Sequence, residues 1–219
     1  MKFIAKPFPF RTVSGDPFPN SEYYEMGDYK IHYRVDPAKT VTPVAKAFMI
    51  HGFACNTRFY DEMVEHLTAE GISCLRVDLP DFGFSTREYK GIHYIPQTEI
   101  LAKMMKDFDE DGSGWILFGH SMGGSVAMEV ALLAPKHVKA LVLNAPMFMR
   151  NSTDAQAERF TQDRMVKLLT LEANVIKRLN KPIQLFMYVM SWDKDYAKSF
   201  DAKRFTAPFT DPDAGESLG

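Results

Sequence analysis

The sequence predicts an α/β fold: a mostly parallel, doubly wound sheet with helices on both faces. Short apolar runs typical of buried parallel strands occur at 47–50, 72–77, 115–118 and 138–143. Stretches with apolar residues at helical spacing separate these runs. The pattern G-x-S-x-G at 119–123 joins the third run to a helical stretch, as a sharp strand-to-helix turn does. This alternation of strand and helix implies right-handed parallel crossovers.

The first part of the chain predicts an arm followed by a hairpin. Residues 1–21 are rich in proline and phenylalanine, and we expect an extended arm laid over the body because proline forbids regular structure. Residues 22–26 and 29–35 alternate polar and apolar side chains around the turn Gly27-Asp28. This pattern favours an antiparallel hairpin at the edge of the sheet.

Three helices are predicted between the apolar runs. The first starts at Asn56 or Thr57, either of which can cap a helix, and stops at Gly71. The second covers 100–108, and the third covers 125–134, where Pro135 ends it. A strand follows each predicted helix, so each helix is expected to connect two parallel strands.

In residues 147–219 the spacing of apolar residues favours helices and loops over strands. The segment 183–190 is ambiguous. Asn180 as a cap and Pro182 in the first turn favour a helix, whereas the aromatic and β-branched residues also permit a strand.

Composition and charge bound the function. The 26 Lys and Arg residues nearly balance 28 Asp and Glu residues, so the net charge of −2 gives no bias toward nucleic acid or an anionic membrane. No apolar run reaches the length of a membrane span, and no signal peptide is evident; we expect a cytoplasmic protein without stable membrane insertion. Cys55 and Cys74 are expected to be reduced. Neither a dinucleotide nor a P-loop pattern occurs, and no cofactor or metal is expected.

Ser121 is the candidate nucleophile. Glycines on both sides of it let the backbone turn tightly enough to expose the hydroxyl at the top of a sheet. The alternative is an ordinary glycine-rich turn, but a strand before it and a helix after it favour the nucleophile. Phe53, the loop 78–85 and Asn144 also follow strands, and sites in parallel sheets lie at the carboxyl ends of the strands.

Four motifs carry a resemblance to a known family. They are His51-Gly52-Phe53 followed by Arg58-Phe59-Tyr60, then the loop 78–85, the turn 119–124 and the strand end 141–146. In this order and approximate spacing they resemble the α/β-hydrolase family, and within it the monoacylglycerol lipase and lysophospholipase-like branch, over about residues 22–147.

The resemblance implies a serine hydrolase that cleaves small-molecule esters through an acyl-serine intermediate, without a cofactor. It also implies a hydrolase core at 22–146, with an N-terminal hairpin, and a helical cap region and tail at 147–219. Ser121 would be the nucleophile, and the backbone N–H groups of Met122 and Phe53 would form the oxyanion hole. Gly119, His120 and Gly123 would build the nucleophile elbow.

The general base is not evident. Triad order in this fold is Ser, then Asp or Glu, then His, yet no histidine follows His137. His137 precedes a strand and therefore lies at the wrong end of the sheet. His120 is expected to point into the core and His51 to shape the oxyanion turn, whereas His93 lies on a loop at the correct end and is a possible substitute.

The sequence does not identify the carboxylate of the triad either. Asn144 stands at one position that some relatives use, and it cannot serve as a carboxylate. Asp193 and Asp195 qualify only if 183–190 is a strand. Asp78 and Asp81 are interpreted as parts of a solvated turn rather than as acid or metal ligands, because no histidine or carboxylate is spaced to join them.

The economical explanation is that the sequence stops inside the cap, so that the last strands of the fold are missing. Two alternatives to a working esterase follow. One is a truncated or degenerate hydrolase that binds a ligand or partner without turnover. The other is an aminopeptidase of the same fold, which needs an acidic group for the substrate amine. The sequence predicts no oligomeric state.

Overall fold

The structure, a computed structural model, describes residues 18–53, 55–87, 93–147 and 198. Most of the predicted arm, the cap region after Met147, the ambiguous segment 183–190, Asp193 and Asp195 lie outside the described residues. The expected division into arm, core and cap therefore stays a prediction.

The described residues form a six-stranded mixed sheet with the order β1-β2-β4-β3-β5-β6. β1 and β2 are the predicted antiparallel hairpin, and β2 also pairs antiparallel with β4. The other strand pairs are parallel: β3 with β4, β3 with β5, and β5 with β6. This mostly parallel order confirms the predicted fold class. The strands are β1 (Ser21–Met26), β2 (Tyr29–Asp36), β3 (Ala45–Ile50), β4 (Ile72–Val77), β5 (Trp115–His120) and β6 (Val138–Asn144).

Three α-helices connect the parallel strands: α1 (Asp61–Ala69), α2 (Gln97–Asp107) and α3 (Met122–Leu133). The first predicted helix begins with a 3-10 turn, Thr57–Tyr60, in which Asn56 Oδ1 accepts the N–H of Arg58 at 2.9 Å. A second 3-10 turn, Pro135–His137, precedes β6. Within the described ranges, no helix combines the length and the apolar character that crossing a bilayer requires.

Alternate residues of the central strands feed two cores, one on each face of the sheet. Phe48 and Ile50 of β3 point to the larger core, which includes buried residues of α2 and α3. Ala47 and Met49 point to the opposite face, where they pack with Tyr60 and Val64 beside α1. The period of two along β3 therefore places helices on both faces, as predicted.

Among the described residues, Arg76 is the largest side chain that is fully buried, and it is charged. Arg76 of β4 is 2% exposed and makes two hydrogen bonds to Asp36, at 2.8 and 2.9 Å. It also binds Asp61 at 2.5 Å and the carbonyl of Thr57 at 3.0 Å. The contacts with Thr57 and Asp61 link β4 to the start of α1, and those with Asp36 link β4 to the end of β2, so the arginine ties the helix to the sheet.

Candidate active site

Ser121 occupies a sharp turn between β5 and α3. Its backbone has φ 51° and ψ −119°, a left-handed φ that non-glycine residues rarely adopt. The helix starts at the next residue, Met122, so the N-terminal end of α3 faces the serine. A strained serine between a strand and a helix is the local geometry that the G-x-S-x-G pattern predicts.

Two glycines allow this turn to pack closely. A Cβ added to Gly123 would overlap the backbone carbonyl oxygens of Ile50 and His51 at the end of β3. A Cβ added to Gly119 would lie within 2.7 Å of the Cα of Gly124. Only glycine therefore fits at both positions, and the turn lies directly against the end of β3.

The His51-Gly52-Phe53 turn lies beside the serine. A Cβ on Gly52 would lie 3.2 Å from Cβ of Ser121 and 2.8 Å from Nδ1 of His120. Within the described part of the chain, neither the N–H of Phe53 nor that of Met122 has a hydrogen-bond acceptor. Two unpaired backbone donors thus flank the candidate nucleophile, which is the arrangement that an oxyanion hole needs.

His51 holds this turn and is not available as a base. Its Nδ1–H donates to the carbonyl of Gly52 at 2.7 Å, and its Nε2 accepts the N–H of Leu79 at 3.0 Å. Burial lowers the pKa of His51, and it outweighs the nearby negative charge of Asp78. The ring is therefore neutral with both nitrogens engaged, in agreement with the interpretation that it shapes the oxyanion turn.

Three further histidines have no hydrogen bond to Ser121 either, and the buried Nδ1 of His120 has no hydrogen-bond partner among the described residues. His120 stacks on Phe59 with ring centroids 4.4 Å apart, and burial lowers its pKa. His137 binds Asp109 at 2.6 Å at the amino end of β6, and His93 is exposed with its N–H on Asp28. All six histidines fall within the described ranges, and none of them forms a hydrogen bond with Oγ of Ser121.

The prediction that Asp78 lies in a solvated turn is wrong. Its carboxylate is completely buried and accepts the N–H of Thr57 at 2.6 Å and that of Phe84 at 2.9 Å. The ring of His32 is the third donor, at 2.7 Å. Burial would raise the pKa of Asp78, but the surrounding groups, among them the hydrogen bonds from His32 and from the N–H of Phe84, outweigh burial, so the pKa lies below its usual value.

Sequence reasoning missed this contact because the two residues are 46 positions apart, with His32 on β2 and Asp78 directly after the neighbouring antiparallel strand β4. Gly83 is the one signal that points to it. A Cβ at this position would overlap the Asp78 carboxylate, and the backbone has φ +54°. A glycine five residues after a strand-end aspartate thus marks a close approach of the loop.

The end of β6 clamps the serine turn from the other side. The N–H of Ser121 donates to the carbonyl of Asn144 at 3.1 Å, and the N–H of Met147 donates to the carbonyl of Ser121 at 2.9 Å. Asn144 therefore acts here through its backbone. The sequence placed it at this edge but gave no hint of the contact with Met147.

A pocket of about 180 Å³ adjoins the serine turn. Met122, the residue after Ser121, is part of its wall, and the loops after β4 and before α2 supply the rest. The lining residues are Pro80, Asp81, Phe82, Tyr94, Gln97 and Met122. The sequence placed the loop 78–85 at this edge of the sheet, whereas no sequence pattern indicates that Tyr94 and Gln97 line a pocket there.

Cys55 is not a competing nucleophile. Cys55 and Cys74 are both buried free thiols. Burial raises the pKa of each thiol to about 12, so both are uncharged at neutral pH. Neither thiol therefore competes with the hydroxyl of Ser121, which remains the candidate nucleophile.

The strand order, the serine turn and the crossovers define an α/β-hydrolase fold. A solved structure of a probable hydrolytic enzyme from Pseudomonas aeruginosa PAO1 matches it with a TM-score of 0.66, covering 90% of this chain and 62% of that one. The sequences are only 16% identical, so this likeness concerns the fold.

The family follows from the sequence. The family model described as serine aminopeptidase, S33, matches residues 42–215, and the chain belongs to this family. A pimeloyl-[acyl-carrier protein] methyl ester esterase of Pseudoalteromonas atlantica is 28% identical over 163 residues, 74% of this chain and 58% of the relative. A probable lysophospholipase of Arabidopsis thaliana, BODYGUARD 4, is 26% identical over 68% of this chain and 33% of the relative. The chain thus spans little more than half the length of the first relative and a third of the second.

Proposed function

We propose that this protein hydrolyses carboxylic esters through an acyl intermediate on Ser121. The observation that carries the proposal is the pairing of a strained, glycine-flanked serine with two backbone N–H groups, those of Phe53 and Met122, that have no acceptor among the described residues. The esterase and lysophospholipase names of the two relatives support the same reaction class.

The reaction has two halves. Oγ of Ser121 attacks the ester carbonyl carbon, and the negative charge on the carbonyl oxygen is stabilised by the two N–H groups. The alcohol leaves with a proton, and water then hydrolyses the acyl-serine. One such donor typically contributes about 3 kcal/mol to the stability of the transition state. Both halves need a proton acceptor at Ser121.

The pocket supports a preference for substrates with a small group on one side of the ester. Its volume of about 180 Å³ lies below the roughly 300–1,000 Å³ of most small-molecule sites. Phe82 and Tyr94 give it apolar walls, and Gln97 adds a polar side chain. The part of the pocket that the described residues form has room for a short acyl chain or a small alcohol.

Hydrolysis of p-nitrophenyl acetate and p-nitrophenyl butanoate by the full chain tests the proposal. We expect turnover that Ser121→Ala abolishes and Ser113→Ala preserves, because Ser113 lies in the loop before β5, at the opposite end of the sheet. Equal turnover by wild type and Ser121→Ala would overturn the assignment of the nucleophile. Binding of the esters without turnover would favour the degenerate hydrolase, which the absence of a histidine at Ser121 supports.

A second candidate is an aminopeptidase, which the position of Asp81 favours. This carboxylate lines the pocket next to Met122, where it can face the ammonium group of a substrate. Cleavage of aminoacyl p-nitroanilides separates the two activities. An aminopeptidase is expected to lose affinity for these substrates in Asp81→Asn, as a raised KM, while an esterase keeps its KM for neutral esters.

A further inference from the structure

We propose that Ser21 is a second activated serine, with His32 as its base and Asp78 as the carboxylate that orients the base. Oγ of Ser21 lies 2.7 Å from Nε2 of His32, and Nδ1 of the same ring lies 2.7 Å from Oδ2 of Asp78. A nucleophile, a base and an orienting group in hydrogen-bond sequence are the arrangement that activates a serine hydroxyl. The site would react with small activated acyl or phosphoryl donors.

The direction of each proton follows from the surroundings of Asp78. Its carboxylate is buried and already accepts the N–H groups of Thr57 and Phe84, and its pKa lies below the usual value because the surrounding groups, among them His32 and the N–H of Phe84, outweigh burial. A carboxylate can only accept, so Nδ1 of His32 carries the proton. In the neutral ring Nε2 is then an acceptor, and the hydroxyl of Ser21 donates to it.

The base is held in one orientation. His32 is completely buried, and its ring lies between those of Tyr23 and Phe84, at centroid distances of 5.4 and 5.3 Å. Its backbone N–H donates to Oγ of Ser85 at 2.9 Å, and that hydroxyl donates to the carbonyl of Asp78 at 2.6 Å. No rotation of the imidazole is needed before proton transfer, which favours general-base catalysis.

Ser21 is not fully buried. Ser21 is the first residue of β1, the edge strand of the described sheet, and it is partly exposed. β1 and the turn after β5 that carries Ser121 are separated in the sheet by β2, β4 and β3. The proposal therefore does not depend on the proposed function of Ser121.

With a fluorophosphonate, the step balances as follows. Oγ of Ser21 forms a bond to phosphorus, the phosphorus–fluorine bond breaks and fluoride leaves. The hydroxyl proton moves to Nε2 of His32 and is later released to water, while Asp78 stabilises the transient imidazolium. The N–H of Ser21 is already bound to the carbonyl of Phe18 at 2.9 Å, so it cannot serve as an oxyanion donor. We therefore expect slower reaction than at a serine with an oxyanion hole.

Peptide mapping after incubation with an alkyl fluorophosphonate tests the proposal. The full chain carries Ser121→Ala, so that a reaction at the candidate active site does not compete. Ser73 is the internal control, because it is also partly exposed on a strand but its hydroxyl accepts the backbone N–H of Ala38 and has no imidazole partner. We expect modification of Ser21 to be at least about tenfold faster than that of Ser73.

A second variant separates activation from exposure. His32→Gln is expected to slow modification of Ser21 by about tenfold or more, with the rate at Ser73 unchanged. Where this variant fails to fold, shown by loss of its thermal transition, the ratio of Ser21 to Ser73 in the Ser121→Ala chain decides. Equal rates at the two serines, or a folded His32→Gln chain that modifies Ser21 as fast as before, would overturn the proposal.

Discussion

Nε2 of His51 accepts the backbone N–H of Leu79 at 3.0 Å, which joins the end of β3 to the loop that follows β4. The same ring donates from Nδ1 to Gly52 in the turn beside Ser121. One neutral imidazole thus fixes the turn that carries the N–H of Phe53 relative to the loop that lines the pocket. Protonation of this ring would remove the acceptor for Leu79.

This contact predicts a pH dependence of stability. Burial lowers the pKa of His51 below its ordinary value of 6.5, so the unfolded chain takes up a proton that the folded chain does not. The full contribution of this group to stability is present above pH 6.5 and decreases as the pH falls below it. One such group changes the free energy of unfolding by at most about 1.4 kcal/mol per pH unit.

Urea unfolding of wild type and His51→Gln between pH 7.5 and 5.5 measures this effect. Gln can still accept the N–H of Leu79 but does not titrate, so we expect the variant to lose less stability on acidification. His66→Gln makes the same chemical change on an exposed part of α1 and serves as the control. An identical pH slope in wild type and His51→Gln would contradict the role of the neutral ring.

Gly123 lies so close to the end of β3 that adding one methyl group there is expected to lower stability strongly. Gly123→Ala is expected to destabilise the protein by about 3 kcal/mol, because the methyl group overlaps two backbone carbonyls that cannot rotate away. Gly112→Ala has open space around its Cβ but φ +62°, and it is expected to cost only about 1 kcal/mol of backbone strain. Thermal unfolding of the two variants gives the decrease in Tm for each. Equal decreases would contradict the packing of the serine turn on β3.

Replacing the buried Arg76 is expected to cost much more stability than replacing an exposed lysine. Arg76→Leu removes the buried cation from Asp36 and Asp61, which keep only Asn20 and Arg34 respectively, and is expected to lower the free energy of unfolding by about 3 kcal/mol. Lys103→Leu removes an exposed helical pair with Asp107 and is expected to cost less than about 0.5 kcal/mol. Chemical denaturation measures both variants. A change below about 1 kcal/mol for Arg76→Leu would show that the arginine does not tie α1 to the sheet.

The sequence predicted those parts of the fold whose causes are local. The apolar runs, the hairpin turn at Gly27-Asp28 and the G-x-S-x-G turn each depend on neighbouring residues, and the structure confirms the strands and the parallel order they imply. Helix starts were less accurate. α2 begins three residues before the first apolar position because Gln97, Thr98 and Glu99 form a polar first turn that periodicity does not mark.

The missed contacts join residues that are distant in sequence. Arg76 was part of a run that read as apolar, and nothing local indicates that Asp36 and Asp61 converge on it. Asp78 was interpreted as solvated because its partner His32 belongs to the hairpin. At the candidate active site, motifs located Ser121 and the Phe53 turn, whereas Met147, Tyr94 and Gln97 reach the site through tertiary packing alone.

The central claim is that Ser121 is the nucleophile, and trapping the covalent adduct tests it most directly. The full chain is incubated with an alkyl fluorophosphonate, and hydrolysis of p-nitrophenyl butanoate is followed on the same sample. We predict an adduct on the peptide that contains Ser121, formed faster than any adduct on Ser21, in step with loss of hydrolysis and absent from Ser121→Ala. Loss of hydrolysis while the Ser121 peptide stays unmodified would contradict the claim.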